Sequence, residues 1–174
     1  MLSALVLSPS LRAAAPEPRA SEAVARSLNA LVRVAVEGVL RDVAIVGPDG
    51  DLAELADAAG CAFIQTRSAQ DGLARGAAQM RSEIGFVLEG GYAPQSGFAE
   101  EAGEFLLDPD HIRGALLRRA PHSVATRFFP GLALPVGAIA ARSAIDASAP
   151  RDLADLVRRL KIRRTLTVRA QRVV

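Results

Sequence analysis

Short apolar runs that stop on glycine-rich polar turns constrain this chain more than any other feature. Asp42 to Val46 reads Asp-Val-Ala-Ile-Val and stops on Gly-Pro-Asp-Gly-Asp, from Gly47 to Asp51. Ile84 to Leu88 reads Ile-Gly-Phe-Val-Leu and stops on Glu-Gly-Gly-Tyr, from Glu89 to Tyr92. Runs of this length without polar alternation suit strands buried on both faces. Segments with helical spacing separate them, which predicts a single-domain α/β fold, a three-layer αβα sandwich around a mostly parallel sheet. In open sheets of this kind ligands bind outside the carboxyl ends of the strands. The two turns therefore mark the expected functional edge.

The remaining elements follow from the same signals. Leu2 to Leu7 is an apolar strand closed by Ser8-Pro9, and Arg12 to Arg19, with two prolines, reads as a loop. Ser21 is placed to cap a helix running to about Val36, with Val24, Leu28, Leu31, Val32 and Val36 on one face and Gly38 as its stop. Asp51 is placed to cap a second helix whose Leu52, Leu55, Ala56 and Ala59 face inward, and Gly60 ends it. Cys61 to Gln65 reads as a third buried strand, and Gln70 to Arg81 as a small-residue helix. Beyond Tyr92 the pattern loosens. Gly97 to Leu107 and Asp110 to Arg119 read as helices, and Ser123 to Phe129 is β-like. Val136 to Ala141 is either a strand or a helix start. Pro150-Arg151 opens a helix through Leu160, with Leu153, Leu156, Val157 and Leu160 as its apolar stripe, and Thr165 to Arg169 closes the fold as an edge strand.

Composition narrows the function classes. The 174 residues suit one domain, and half are apolar while only 4% are aromatic, so the core is aliphatic. Tryptophan is absent and Tyr92 is the only tyrosine, which disfavours base-stacking readers of single-stranded nucleic acid. A net charge of +2 gives no further reason to expect a nucleic-acid partner. Cys61 is the only cysteine, so neither an intramolecular disulfide nor a cysteine-rich zinc site is expected, and a reducing, cytoplasmic setting fits. The apolar run Leu2 to Leu7 is too short for a signal-peptide core, and nothing approaches the ~20 apolar residues of a transmembrane span.

The order of these parts resembles a family-2 glycosyltransferase domain of the GT-A fold. Such domains begin with an apolar strand ending near a proline, as Leu5-Val6-Leu7-Ser8-Pro9 does. A helix, a second strand, an acidic glycine turn, a short helix and a third strand follow. A glycine- and alanine-rich helix then leads to the strand carrying an Asp-x-Asp metal motif. Leu134 through Ile139 to Arg142-Ser143, and Arg151 to Arg164, resemble the tail of small bacterial members. The likeness spans the chain, most clearly residues 2 to 105, and rests on element order rather than an intact signature. It implies a nucleotide-binding half over residues 2–107 and an acceptor-side half over 108–174. It implies that a nucleotide-sugar and an acceptor are the partners, with Pro9, Gly47, Asp49, Asp51, Arg75, Glu89, Gly91 and Tyr92 around the donor. The sequence departs from the pattern at two places. Gly47 stands where an aspartate usually contacts the base, and Glu89-Gly90-Gly91 replaces Asp-x-Asp. A divalent cation such as manganese or magnesium wants hard oxygen ligands, and of that triplet only Glu89 offers a carboxylate. Of the downstream acids, Glu100 and Glu101 stand nearest to the place of a catalytic base, without matching it clearly.

Each candidate also has a plainer reading. Gly47 to Asp51 suits a strand-to-helix turn, and Glu89 to Tyr92 a glycine turn. Arg67, Asp71 and Arg75 suit a solvated helix face as well as a phosphate contact. Gly72 and Gly76 match neither a Walker loop nor the dinucleotide fingerprint and suit close packing. His111 and His122 accompany no nucleophile elbow. Arg158, Arg159, Lys161, Arg163 and Arg164 suit the charged face of a helix end, although the cluster leaves peripheral membrane contact open. Three functions stand in order: a sugar transferase of doubtful activity, a non-catalytic binding protein of the same fold, and a nucleotidyltransferase. The last would favour a glycine-rich loop after the first strand, and Ser8 to Arg19 contains no glycine.

Overall fold

The computed structural model describes residues 1–11, 19–48, 50–108, 113–121, 128 and 133–173. Among them, eight strands form one curled sheet: β1 (Leu2–Leu7), β2 (Leu40–Gly47), β3 (Ala62–Gln65), β4 (Ile84–Glu89), β5 (Tyr92–Pro94), β6 (Ala115–Arg119), β7 (Pro135–Ala141) and β8 (Thr165–Arg172). Their order is β3-β2-β1-β4-β7-β6-β8-β5. Strands β3, β2, β1 and β4 run parallel, β7 is antiparallel between β4 and β6, and β8 runs parallel to β6. The strands β1, β2, β3, β4, β6 and β8 thus share one direction, and their carboxyl ends share one edge.

Helices α1 (Ala20–Val36), α2 (Gly50–Ala59), α3 (Ala69–Gln79), α4 (Phe98–Leu107), α5 (Arg142–Ser148) and α6 (Leu153–Leu160) cover the two faces. Because side chains alternate along a strand, each strand feeds two cores. Leu2, Ala4 and Val6 of β1 join Phe86, Leu88 and Leu117 beneath α1, α2 and α4. Leu5 and Leu7 join Val46, Val87 and Leu116 beneath α3, α5 and α6. The small residues of α3 serve this packing. A Cβ on Gly76 would stand 2.5 Å from a Leu5 methyl, and one on Gly72 2.2 Å from a Val46 methyl. No helix among the described residues is long and apolar enough to cross a membrane.

Several expectations need correction. Val32 and Val36 point outward, 58% and 81% exposed, because the buried stripe of α1 runs Val24, Leu28, Leu31, Val34. Ser21 does not cap α1, which begins at Ala20 after Arg19 with no side-chain cap. Asp51 lies inside the first turn of α2 rather than before it. There its negative charge still complements the helix dipole. Leu52 and Ala56 of α2 are buried, whereas Ala59 is exposed and Leu55 only part-buried. Strand β3 is a sheet edge with only Ile64 buried, and Cys61 precedes it, part-buried, its thiol pKa raised by burial. The segment read as a helix up to Arg119 is strand β6 from Ala115 onward. Its Ala-Leu-Leu run is buried on both faces, and a short apolar run carries no period that separates helix from strand. Segment 136–141 is strand β7. The last strand is not an edge, since β8 lies between β6 and β5. The β-like stretch Ser123 to Phe129 lies outside the described residues except for Phe128.

The C-terminal cations are largely spent on structure. Asp152 caps α6, its Oδ1 accepting from the Asp155 N–H at 2.7 Å. The buried Asp155 carboxylate accepts from the Arg151 N–H at 3.0 Å, from Arg159 Nε at 2.7 Å and from Arg158 Nη2. Arg164 pairs with Asp108 and lies over the Phe105 ring, 4.9 Å from its centroid. The Arg151 N–H, and after it the two guanidinium groups, bring Asp155 down from 3.8 to about 2, against the opposing effect of burial. A carboxyl whose folded pKa is depressed stabilises the fold above its unfolded value and loses that contribution as pH falls through the folded one. Asp155→Asn is therefore expected to melt lower than the parent at pH 7. The gap should close as pH falls from 3.8 towards about 2. A gap of constant size in thermal melts across that window would refute the account.

Candidate functional site

The carboxyl ends of β1, β2 and β4 meet in register, since Leu7 is the Cα partner of both Val46 and Glu89. The Ser8 N–H donates to the Val46 carbonyl at 2.8 Å, and the Gly90 N–H to the Leu7 carbonyl at 2.7 Å. The central strand thus stitches the two flanking turns side by side. Past it the chain makes one short helical turn, Pro9–Leu11. Ser8 and Ser10 are buried there, and Ser8 Oγ accepts from the Ser10 N–H at 3.3 Å. Gly47 leaves no room for a side chain: a Cβ would stand 2.3 Å from a Leu52 methyl and 3.0 Å from Ser8 Cβ. The aspartate usual at this place in the resembled family would have to displace both.

Glu89-Gly90-Gly91 forms a structural joint. A Cβ on Gly90 would meet the Leu7 carbonyl at 2.9 Å, Val24 at 2.9 Å and the Pro9 ring at 3.1 Å. Gly91 has φ +88°, a conformation that side-chain-bearing residues adopt only with strain. Its N–H donates to Ser27 Oγ at 2.9 Å and to the Ala23 carbonyl at 3.2 Å, both on α1. Its carbonyl accepts from the Val173 N–H at 2.8 Å. The Glu-Gly-Gly corner therefore fastens β4 to α1 and to the end of β8. Tyr92 follows on β5, part-buried and paired with Arg172.

The expected donor residues divide into two sets. Pro9, Gly47, Glu89 and Gly91 lie together at the tips of β1, β2 and β4. Asp51 stands exposed on α2, which covers the face opposite to the one Glu89 shares with Val87. Asp49 lies outside the described residues, as do His111 and His122. Arg75 is tied to the far end of the sheet. Its Nη1 donates to the Gln65 carbonyl of β3 at 2.9 Å and meets Asp71 at 3.4 Å. Three strand spacings, roughly 14 Å, separate β3 from β4, so Arg75 does not reach the Glu89 corner. Among the described residues no three His, Cys, Asp or Glu side chains cluster as metal ligands. One carboxylate beside two structural glycines does not fit an Asp-x-Asp cation site, and no step is assigned to a metal.

Glu101 is also committed. Its carboxylate accepts from the Thr167 N–H at 2.6 Å and the Val168 N–H at 2.8 Å. These amides sit in an irregular stretch of β8, where four residues span what two span on β6. The acid is a staple across that bulge. An open cavity of about 660 Å³ lies elsewhere, between the outer side of α1 and the ends of β5 and β8, with Glu22, Arg26, Asn29 and Arg172 on its walls. It includes none of the strand-tip residues. The sequence reading missed Ser8, Ser10 and Ser27. For the first two, the position directly past an apolar strand was the available signal; Ser27, inside a helix stripe, offered none.

No protein-family model matches the chain, and no curated protein matches it in sequence. Solved structures do match its fold. Glucosyl-3-phosphoglycerate synthase from Mycobacterium tuberculosis, in complex with phosphoglyceric acid, aligns over 99% of this chain and 70% of its own with TM-score 0.64 and 13% identity. A 4-diphosphocytidyl-2C-methyl-D-erythritol synthase aligns over 94% and 86% with TM-score 0.59 and 14% identity. A nucleotidyl transferase from Methanothermobacter thermautotroptrophicus aligns over 99% and 87% with TM-score 0.58 and 13% identity. The chain thus has a GT-A-like fold, of the type found in both sugar transferases and nucleotidyltransferases.

Proposed function

We propose that the chain is a nucleotide-sugar-binding protein of the family-2 glycosyltransferase kind, holding its donor at the tips of β1, β2 and β4 without an Asp-x-Asp metal. The observation that carries this reading is the registered edge of Leu7, Val46 and Glu89. It places a helical turn and two glycine turns where sheets of this type take ligands. A structure of glucosyl-3-phosphoglycerate synthase holds manganese, uridine-diphosphate-glucose and phosphoglyceric acid, and this chain aligns with it at TM-score 0.63. The donor class is inferred from that likeness. If sugar is transferred, a general base would have to activate the acceptor hydroxyl. Residues 108–174 form the acceptor side in this reading.

The commitment of Glu101 and Gly91 favours a second reading, a binding protein that no longer catalyses transfer. Nucleotidyl transfer ranks third, since the segment after β1 contains no glycine to cradle a triphosphate.

Melting curves with nucleoside-diphosphate sugars, in manganese and in EDTA, test the proposal. One donor is expected to raise Tm by about 3 °C when present at roughly ten times its Kd, equally in both buffers. No shift with any donor would sink the nucleotide reading. A manganese-dependent shift lost in Glu89→Gln would overturn its metal-free part. Binding without release of nucleoside diphosphate, in the presence of candidate acceptors, would select the second reading.

A further inference from the structure

We propose that the open cavity between the flank of α1 and the ends of β5 and β8 binds a small organic anion, a phosphate ester or carboxylate that also bears hydroxyl groups. Its volume, about 660 Å³, falls within the roughly 300–1,000 Å³ of small-molecule sites. One stripe of α1 forms a wall: Glu22, Ala25, Arg26, Asn29 and Ala30 recur at helical spacing. This stripe is distinct from the core stripe of Val24, Leu28, Leu31 and Val34. Alanine at positions 25 and 30 keeps the wall low, and Ala93 and Val173 line the strand side.

Arg172 carries the argument. It partners Tyr92 across the β5·β8 pairing. Alternation places it on the same face as Ala170, two residues earlier, whose side chain belongs to the core beneath α1. Its side chain therefore extends towards the flank of α1. Arg172 is exposed and has no hydrogen-bond or ion-pair partner among the described residues. Arg26, on the helix wall, meets Glu22 through Nη2 and keeps 43% of its side chain exposed. Both guanidinium groups are thus open to a solute, and two arginines against one glutamate leave the walls with a positive excess.

An arginine on a convex surface is satisfied by water. Two on the walls of one hollow can hold an oxyanion by charge-assisted bonds, which their planar forks suit. Asn29 and Glu22 offer an amide and a carboxylate to hydroxyl groups, and the alanines and Val173 offer apolar surface to a carbon skeleton. The cavity also adjoins the strand tips. The Val173 N–H donates to the Gly91 carbonyl at 2.8 Å, and the Gly91 N–H to Ser27 Oγ, next to Arg26, at 2.9 Å. An occupant held by Arg26 and Arg172 braces the joint that fastens Gly91. The inference goes beyond the donor proposal and stands without it.

Calorimetric titration at constant ionic strength, with glycerol 2-phosphate, glycerate and neutral glycerol as probes, tests it in the wild type, Arg172→Met and Ala30→Leu. At least one of the two anions is expected to bind the wild type saturably, and glycerol is not. Arg172→Met should weaken that binding about ten-fold or more, through loss of a charge-assisted bond. Ala30→Leu keeps every charge but fills part of the hollow, and should weaken it about five-fold or more. No saturable binding of either anion, or glycerol binding as tightly as the anions, overturns the proposal. So does an unchanged Kd in Arg172→Met or in Ala30→Leu. Melting curves check folding, and should one variant fail to fold, the other decides alone. A nucleoside-diphosphate sugar titrated in parallel separates the two ideas. Donor binding without anion binding sinks only this inference. Anion binding weakened in Arg172→Met, with no response to any donor, sinks only the donor reading.

Discussion

Replacing Phe86 by alanine is expected to cost about 3–5 kcal/mol, the range typical of buried aromatic truncation. Phe86 is fully buried at the middle of β4, the strand on which the parallel and antiparallel parts of the sheet meet. Its ring stacks against Phe98 of α4 with centroids 4.8 Å apart and planes tilted by 36°. It also fills the space above Gly137, where a Cβ would stand 3.0 Å from the ring. Glycine on the neighbouring strand and an aromatic on β4 are complementary, so alanine at 86 leaves a void that neither partner can close. Phe86→Leu should recover part of the loss by restoring volume without the ring. Chemical denaturation with a linear free-energy analysis measures both. A cost under about 1 kcal/mol for Phe86→Ala would mean that the sheet collapses around the gap.

Replacing Glu101 by alanine is expected to cost about 1–3 kcal/mol, and Glu101→Gln about half of that. The carboxylate satisfies two successive amides of β8 within the bulge against β6, and bonds to a charged acceptor are the stronger kind. Glutamine has one acceptor oxygen and turns an amide N–H₂ towards the second donor, so one bond is lost rather than two. Both amides lie near the surface, and water moderates the loss, which sets the lower bound. Hydrogen exchange at Thr167 and Val168 provides the local readout. Faster exchange confined to β8 in Glu101→Ala supports the staple. Unchanged exchange at both amides in Glu101→Ala would refute it.

The first half of the fold was legible because its signals are local. Leu2 to Leu7, Asp42 to Val46 and Ile84 to Leu88 are apolar runs bounded by turns, and each became a parallel strand of the sheet. Helix α3 was readable as a small-residue helix, and its Gly72 and Gly76 meet Val46 and Leu5. The second half was less legible. Ala115 to Arg119 carries a period too short to separate helix from strand, and only its place between β7 and β8 makes it β6. Strand β5, at Tyr92–Pro94, looked like the tail of a turn because its pairing partner, β8, lies some eighty residues later. For the same reason β8 looked like an edge.

The candidate site divides along the same line. The two glycine turns could be placed at the carboxyl edge from sequence, since the end of a buried strand and the onset of a helix are written locally. The joining of Arg75 to the tip of β3, the clamping of Gly91 by Ser27 and Val173, and the use of Glu101 as a staple could not be placed that way.

From sequence alone come the alternation of apolar strands and amphipathic helices, the GT-A-like layering, and the single carboxylate of Glu89-Gly90-Gly91. These depend on residue type and on spacings of a few residues. What the glycines and acids became was decided only in three dimensions. Whether a carboxylate faces a ligand or a stranded amide, and whether an arginine finds an acceptor, depends on partners brought close by strand order. Strand order is set by the burial of the whole sheet, and no local window contains it.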